Sequence, residues 1–445
     1  MAASMGVGAV VWPAPDYAAA PSAVRDLFAF LGLNPYNPLD RWIRPGMTVV
    51  IKPNWVKHEF GETEGQNVLY THASVVRVLI DAALAAVGRD GRVSVADAPL
   101  QGCHFARFRR QSGLAELDQH YARAPVTFTD LRCQWAEIDD ASSFVRGVHA
   151  LPGDPRGYSL VDLRDRSRLV CFGVNARFGV TDYRAETTNG HHHSGAHRYL
   201  VSNTLLGADV ILNVPKLKTH MKTGMTGALK NFVGIIGSKD FLPHFRAGSP
   251  GSGGDEFPDG NWASRVASPV RELLQARGPL WLWKLARAGA HATSSPVIQG
   301  GAWHGNDTLW RTVYDLVDIS RNYGVSGVRR EQPRTILTLV DAIVAGEGCG
   351  PLKPYPKPCG LLVWGEDPGM VDVTSATLMG LDWRRIPLLS HLCDAEARAF
   401  TGFAGEMAFR SPQAALERFV RTGAGRFIAP AGWAGEIEVG EQSRI

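Results

Sequence analysis

The sequence contains no Cys-x-x-Cys pair. Its six cysteines stand singly at 103, 133, 171, 349, 359 and 393, so the close thiol spacing of a zinc ribbon or ferredoxin-type cluster is missing. Thiols scattered along a long chain read as free side chains of a reducing compartment, not as a disulfide framework. Also missing is an apolar run of about 18 residues, the length that a spanning helix needs. The opening MAASMGVGAVVWPAP has no basic stretch and its short apolar run meets a proline, unlike a secretory signal. Neither charge sign is in large excess. Lys and Arg number 47 against 43 Asp and Glu, a net +4, too little for the basic stripe of a nucleic-acid binder. Neither a GxxxxGK[ST] loop nor a GxGxxG fingerprint occurs. The expectation is a soluble, cytoplasmic protein without a nucleic-acid partner, a transmembrane segment or a standard nucleotide motif.

What is present fits an α/β fold. Short apolar runs at 47–51, 92–96, 209–212, 335–340 and 360–364 each end in polar residues. Between them, Val75, Leu79, Ala83 and Val87 repeat every four positions before Gly88, predicting a helix over 74–87. Leu229, Phe232, Val233 and Ile236 follow the i, i+3, i+4, i+7 rule and predict another over 226–236. Pro368 and Gly380 bracket a third at 369–379. Strands alternating with helices imply a mostly parallel sheet flanked by helices.

The expected layout is a first α/β half at 1–140, a β-rich insertion at 141–200 and a lysine-rich anion-site segment at 201–245. A flexible loop with a helical insertion follows at 246–305, then a second α/β half at 306–445. The glycine-rich part, 246–263, has the composition of a lid. Within the helical part, WLWK at 281–284 suits packing on its own domain, or a membrane surface or partner.

Ligands of open parallel sheets bind beyond the carboxyl ends of the strands, where Lys52, Asn54, Asp97, Lys216 and Asp341 should share one rim. The segment 213–231, NVPKLKTHMKTGMTGALKN, is the richest in chemistry. Extended chain after Pro215 puts Lys216, Lys218, His220 and Lys222 on one face. Four potential cations together call for an anion or for opposing carboxylates. A helix opening at Thr226 would add its N-terminal N–H groups, with Thr223, Thr226 and Lys230 on one side. Asp97, Asp341, Glu347, Asp367 and Asp372 could hold magnesium or manganese, with Asp341, Asp372 and Glu347 the expected ligands. They could equally cap helices or neutralise lysines. His191, His192, His193 and His197 suit acid–base or metal chemistry, although adjacent side chains diverge, and Asp341–Pro351 reads as a glycine-punctuated turn after a strand.

VVIKPNW at 49–55, ADVILNVPKLKTHMKTGMTGALKNFVGIIG at 208–237, VDAIVAGEGCGP at 340–351 and DPGMVDVTSATLMGLD at 367–382 resemble the domain-of-unknown-function 362 family. Some relatives carry an iron–sulfur ferredoxin-like unit. Its closely spaced cysteines are absent here, so no such cluster is expected. The resemblance points to Lys52, Asn54, Lys216, Lys218, His220, Lys230, Asn231, Asp341, Glu347 and Asp372 as one site. The expected function is an enzyme acting on a phosphorylated or carboxylated metabolite. Lys52, Asn54, Lys216, Thr226 and Asn231 would bind it, and His220, Lys218 and Lys230 would do the chemistry, with a metal assisting. A metal-independent Lys/His isomerase or lyase, and a non-catalytic carrier or scaffold, are the alternatives.

Overall fold

Alternation of side chains along single strands builds this molecule. The computed structural model describes residues 9–59, 65–138, 145–180, 185–268, 298, 300–394, 397–398, 403, 409–412, 419 and 424–440. In chain order its first elements are β1 (Ala9–Pro13), α1 (Ala20–Phe30), β2 (Thr48–Pro53), α2 (Ala73–Val87), β3 (Arg92–Asp97), α3 (Phe105–Gln111), α4 (Leu114–His120) and β4 (Val126–Asp130). Next come β5 (Gln134–Ile138), β6 (Val145–Ala150), β7 (Tyr158–Asp162), β8 (Phe178–Gly179), α5 (Ala185–His191), β9 (His192–His193), β10 (Ala196–Ser202) and α6 (Asn203–Leu206). The rest are β11 (Val210–Val214), β12 (Lys216–His220), β13 (Gly224–Thr226), β14 (Phe245–Arg246), α7 (Leu309–Asn322), β15 (Thr335–Cys349), β16 (Lys353–Gly365), α8 (Pro368–Leu378), α9 (Pro387–Ser390) and β17 (Phe409–Arg410).

The main sheet runs β17–β1–β16–β15–β11–β2–β3–β4, with β12 paired to β15 and β13 to β12. From β15 to β4 all neighbours are parallel, while β16 runs antiparallel to β15 and β1. This is the expected mostly parallel α/β sheet. Val50 joins the apolar cluster on one face with Leu316 and Val317 of α7. Val49 and Ile51 join the opposite cluster with Val75, Leu79 and Ala83 of α2. Burial of both faces is why these strands read as continuous apolar runs. The ring of His72 accepts from Ser74 N to cap α2, and Gly88, at φ 66°, ends it.

Several boundaries differ from the sequence expectation. Strands β2, β3 and β11 outlast their apolar runs, so Lys52, Asp97 and Asn213 lie inside strands. The parallel ladder continues through them, Asn213 pairing with Lys52 and Asp97 with Asp130. A polar side chain does not stop a strand whose backbone partner persists. For the same reason Asp341–Pro351 is no turn: β15 continues to Cys349 in a long hairpin with β16, with a register shift between Ala342 and Val344. The helix predicted over 226–236 is also absent. Thr226 belongs to β13, paired with Lys218, and only a 3-10 turn at Lys230–Ile235 follows. The expected helix N-terminus therefore does not exist. The helical spacing was real in that Leu229, Phe232 and Ile236 do enter the core.

The segment 141–200 contributes to small sheets, β7–β10–β9, β8–β14 and β5–β6. The glycine-rich loop is anchored through Asp255. Asp255, 1% exposed, accepts from Arg246 N at 2.5 Å, Thr308 Oγ1 at 2.6 Å and Asp307 N at 3.0 Å. WLWK at 281–284 lies outside the described residues.

Asp372 of α8 holds the connection that follows β13. Its Oδ1 accepts from Ala228 N at 2.5 Å and its Oδ2 from Leu229 N at 2.9 Å, while a Cβ at Gly227 would run into this carboxyl group. An amide in its place turns an NH2 toward a backbone N–H. Asp372→Asn is therefore expected to lower stability by about 1–3 kcal/mol in urea denaturation. An unchanged midpoint would remove this role.

Candidate functional site

Leu217 and Met225 sit in the apolar core, so alternation turns Lys216, Lys218 and His220 to the other face of β12. Thr226 lies directly opposite Lys218 and Gly224 opposite His220. Gly346 of β15 pairs with Lys218, and a Cβ there would come within 3.1 Å of the Lys218 Cβ. The glycine leaves the lysine room.

Five lysines are buried here: Lys52, Lys216 and Lys218 at 0% exposure, Lys239 at 4% and Lys230 at 9%. Two have carboxylate partners. Lys52 Nζ is 2.7 Å from Asp97 Oδ1 and also reaches Asn231 Oδ1 at 3.2 Å and Pro53 O at 3.1 Å. Asn231 is fixed in turn, donating to Lys52 O and to Asn213 Oδ1. Gly234 closes over this pair. Lys216 Nζ is 3.1 Å from Asp341 Oδ2 and hydrogen-bonds the Tyr17 hydroxyl. Asp341 also accepts from His72 N at 3.0 Å and Tyr17 OH at 3.3 Å, and the Tyr17 and His72 rings stack at 3.8 Å. In both ion pairs burial works against charge on the amine, and attraction to the aspartate opposes it.

The other three lysines have no carboxylate partner among the described residues. Lys218 Nζ donates to Leu69 O at 2.8 Å. Lys239 Nζ donates to Ala98 O at 3.0 Å and Val233 O at 2.9 Å. The Lys230 amine has no hydrogen bond or ion pair among the described residues. Burial, then the charges of Lys216 and Lys230, holds Lys218 well below the usual lysine range. Burial, then Lys222 and Lys52, pushes Lys230 down to about 7. Burial outweighs Asp97 to bring Lys239 to about 7 as well. Lys218 is thus coupled to Lys216 and Lys230, and Lys230 to Lys52. Burial and the charges of Lys230 and Lys222 also keep His220 neutral. Its Nδ1 accepts from Lys222 N at 3.0 Å, which leaves the proton on Nε2.

The remaining candidates divide. Thr226 lies opposite Lys218, with its buried Oγ1 unpaired, as is Asn54 Oδ1. Thr223 bonds Met225 O. The proposed metal ligands do not converge. Asp341 serves Lys216, Asp372 holds the 228–229 amides, and Glu347 pairs with Lys357 at 3.0 Å and Ile428 N at 3.0 Å. Among the described residues no group of three or more His, Cys, Asp or Glu is arranged to hold a metal ion. Asp367 caps α8 through Gly369 N and Met370 N. The histidine run lies in a separate sheet. His192 and His197 are buried near Phe178, and burial lowers them to about 3 and about 4. His191 stacks on Phe241, and His193 is exposed.

Tyr17, His72 and Lys239 were not legible as site residues. Lys239 had a signal in composition. The chain holds ten lysines against thirty-seven arginines, so five lysines within 216–239 are a concentration of a scarce residue. The two buried arginines among the described residues are caged by backbone carbonyls elsewhere, Arg132 by those of Leu100, Gln101 and Cys103 and Arg334 by those of Ala208, Leu206 and Tyr323. Lysine can release its proton and arginine cannot.

Residues 171–377 match the family model of a domain of unknown function, DUF362, and the chain resembles that family over this stretch. The match includes β12, the turn at 230–235, all of β15 and α8 up to its last residue, but not Lys52, Asp97, Tyr17 or His72. No curated protein and no solved structure matches the chain. No helix among the described residues is long and apolar enough to cross a membrane.

The lowered lysines fix a pH dependence. Between about 7 and the unfolded value of 10.5, the unfolded chain holds protons that folded Lys230 and Lys239 have released. Stability therefore rises with pH across this window. In buffer free of phosphate, the wild-type melting temperature should climb from pH 7 to pH 9, and Lys230→Met should climb less. Parallel curves would remove Lys230 from the set.

Proposed function

We propose that the lysine cluster binds a phosphorylated or carboxylated small metabolite and that His220 and Lys230 move a proton on it. The observation carrying this reading is the imbalance of charge: Lys218, Lys230 and Lys239 are buried with no carboxylate partner among the described residues. An isolated charged amine is costly to bury, and the cost is met by deprotonation or by a counter-charge. A bound anion would supply that counter-charge. The unpaired Thr226 Oγ1 opposite Lys218 is available to donate to it. Neutral His220, with its proton on Nε2, has the form of a proton donor, and Lys230 at about 7 is poised to accept one near neutral pH.

Of the two forms of this function, metal-independent proton transfer is favoured over a metal-assisted reaction. The specific observation is that Asp341, Asp372 and Glu347 are engaged at three different places. A carrier that binds the same anion without turnover is separated by incubation with candidate metabolites, since only an enzyme consumes them.

Inorganic phosphate should bind in calorimetry and raise the melting temperature at constant ionic strength. Lys218→Met should weaken that binding at least tenfold and leave the unliganded stability equal or higher, because it removes an uncompensated buried amine. A protein blind to phosphate and to simple carboxylates would defeat the reading.

A further inference from the structure

Among the five buried amines, one differs in kind. Lys52 and Lys216 are held by aspartates and Lys218 and Lys239 by backbone carbonyls. Lys230, 9% exposed, has neither. Its residue opens the 3-10 turn at Lys230–Ile235, whose next residue, Asn231, is locked to Lys52 and Asn213. The backbone at its base is further fixed by Asp372, which binds Ala228 N and Leu229 N. A fixed backbone thus presents an amine with no partner among the described residues to a cationic surrounding.

We propose that Lys230 is a nucleophile that captures the carbonyl carbon of an anionic aldehyde or ketone as an imine, an inference that rests on the anion-binding reading above. Three features of the surroundings support it. No hydrogen bond among the described residues ties up the amine, and burial, then the neighbouring cations Lys222 and Lys52, favours the neutral, reactive form, bringing the group to about 7. The neighbouring cations would also hold the anionic end of the substrate, which orients its carbonyl group. His220, whose ring senses the Lys230 charge, carries a proton on Nε2 for the carbonyl oxygen.

The step balances without an oxidant or reductant. The Lys230 nitrogen lone pair forms the C–N bond as the carbonyl π pair moves to oxygen, which takes a proton. The nitrogen then gives up its hydrogens as the C–O bond breaks, and the oxygen leaves as water. The resulting imine withdraws electrons from the adjacent carbon. That is the chemistry by which an isomerase or lyase labilises a C–H or C–C bond without a metal. Arginine could provide the charge at this position but not this bond, which accords with a lysine in a chain that otherwise prefers arginine.

The test uses the full chain with pyridoxal 5′-phosphate, an aldehyde carrying a phosphate, at one equivalent, followed by borohydride reduction and peptide mass mapping. The expected result is one reduced adduct, on Lys230, suppressed by excess inorganic phosphate. Lys230→Arg should abolish the adduct while phosphate still binds in calorimetry. Phosphate binding with no adduct on Lys230, or label distributed over exposed lysines such as Lys353, would overturn the imine and leave the anion site standing. Failure of both phosphate binding and labelling would overturn the anion site as well.

Discussion

Burial of lysines that do not each have a carboxylate partner constrains the rest of this structure. Among the described residues five lysine amines are buried, and two of them are ion-paired with aspartates. Charges taken out of water need partners or must be discharged. The protein uses three solutions side by side. Asp97 and Asp341 pair with Lys52 and Lys216, backbone carbonyls receive Lys218 and Lys239, and Lys230 is left to lose its proton. A cluster of this kind is held against its own repulsion by the fold, and an arriving anion would relieve it.

The fold supplies that restraint through elements far apart in sequence. β2 brings Lys52, β3 brings Asp97, and β12 brings Lys216, Lys218 and His220 alongside the long β15, where Asp341 lies opposite Lys216. Two glycines permit the close approach: Gly346 beside Lys218, and Gly234 over the Lys52–Asp97 pair, where an added Cβ would come within 2.7 Å of Lys52 Nζ. Asp372 reaches across from α8 to fix the backbone from which Lys230 projects. Loss of any of these supports would loosen the cluster before it touched the chemistry.

Much of this was legible in the sequence, for physical reasons that differ by element. The alternation of Lys216, Lys218 and His220 is a strand period, and β12 is a strand. The spacing of Leu229, Phe232 and Ile236 identified core residues but not their conformation, because a 3-10 turn can bury the same side chains as a helix. Glycines at 346, 348 and 350 suggested a turn, since local preference carries no information about β16 pairing along that whole length. Carboxylates such as Asp372 and Asp367 resembled metal ligands because a cap and a ligand look alike until their partners are known. Tyr17 and His72 reach Asp341 across more than 260 residues of chain, and no local pattern announces such a contact.

If the buried amines release protons for want of an anion, anion binding must bring protons back. Calorimetry of inorganic phosphate binding at pH 8, repeated in buffers of different ionisation heats, measures this directly. Net proton uptake is expected, reduced in Lys230→Met. Phosphate binding without proton uptake, or with proton release, would contradict it.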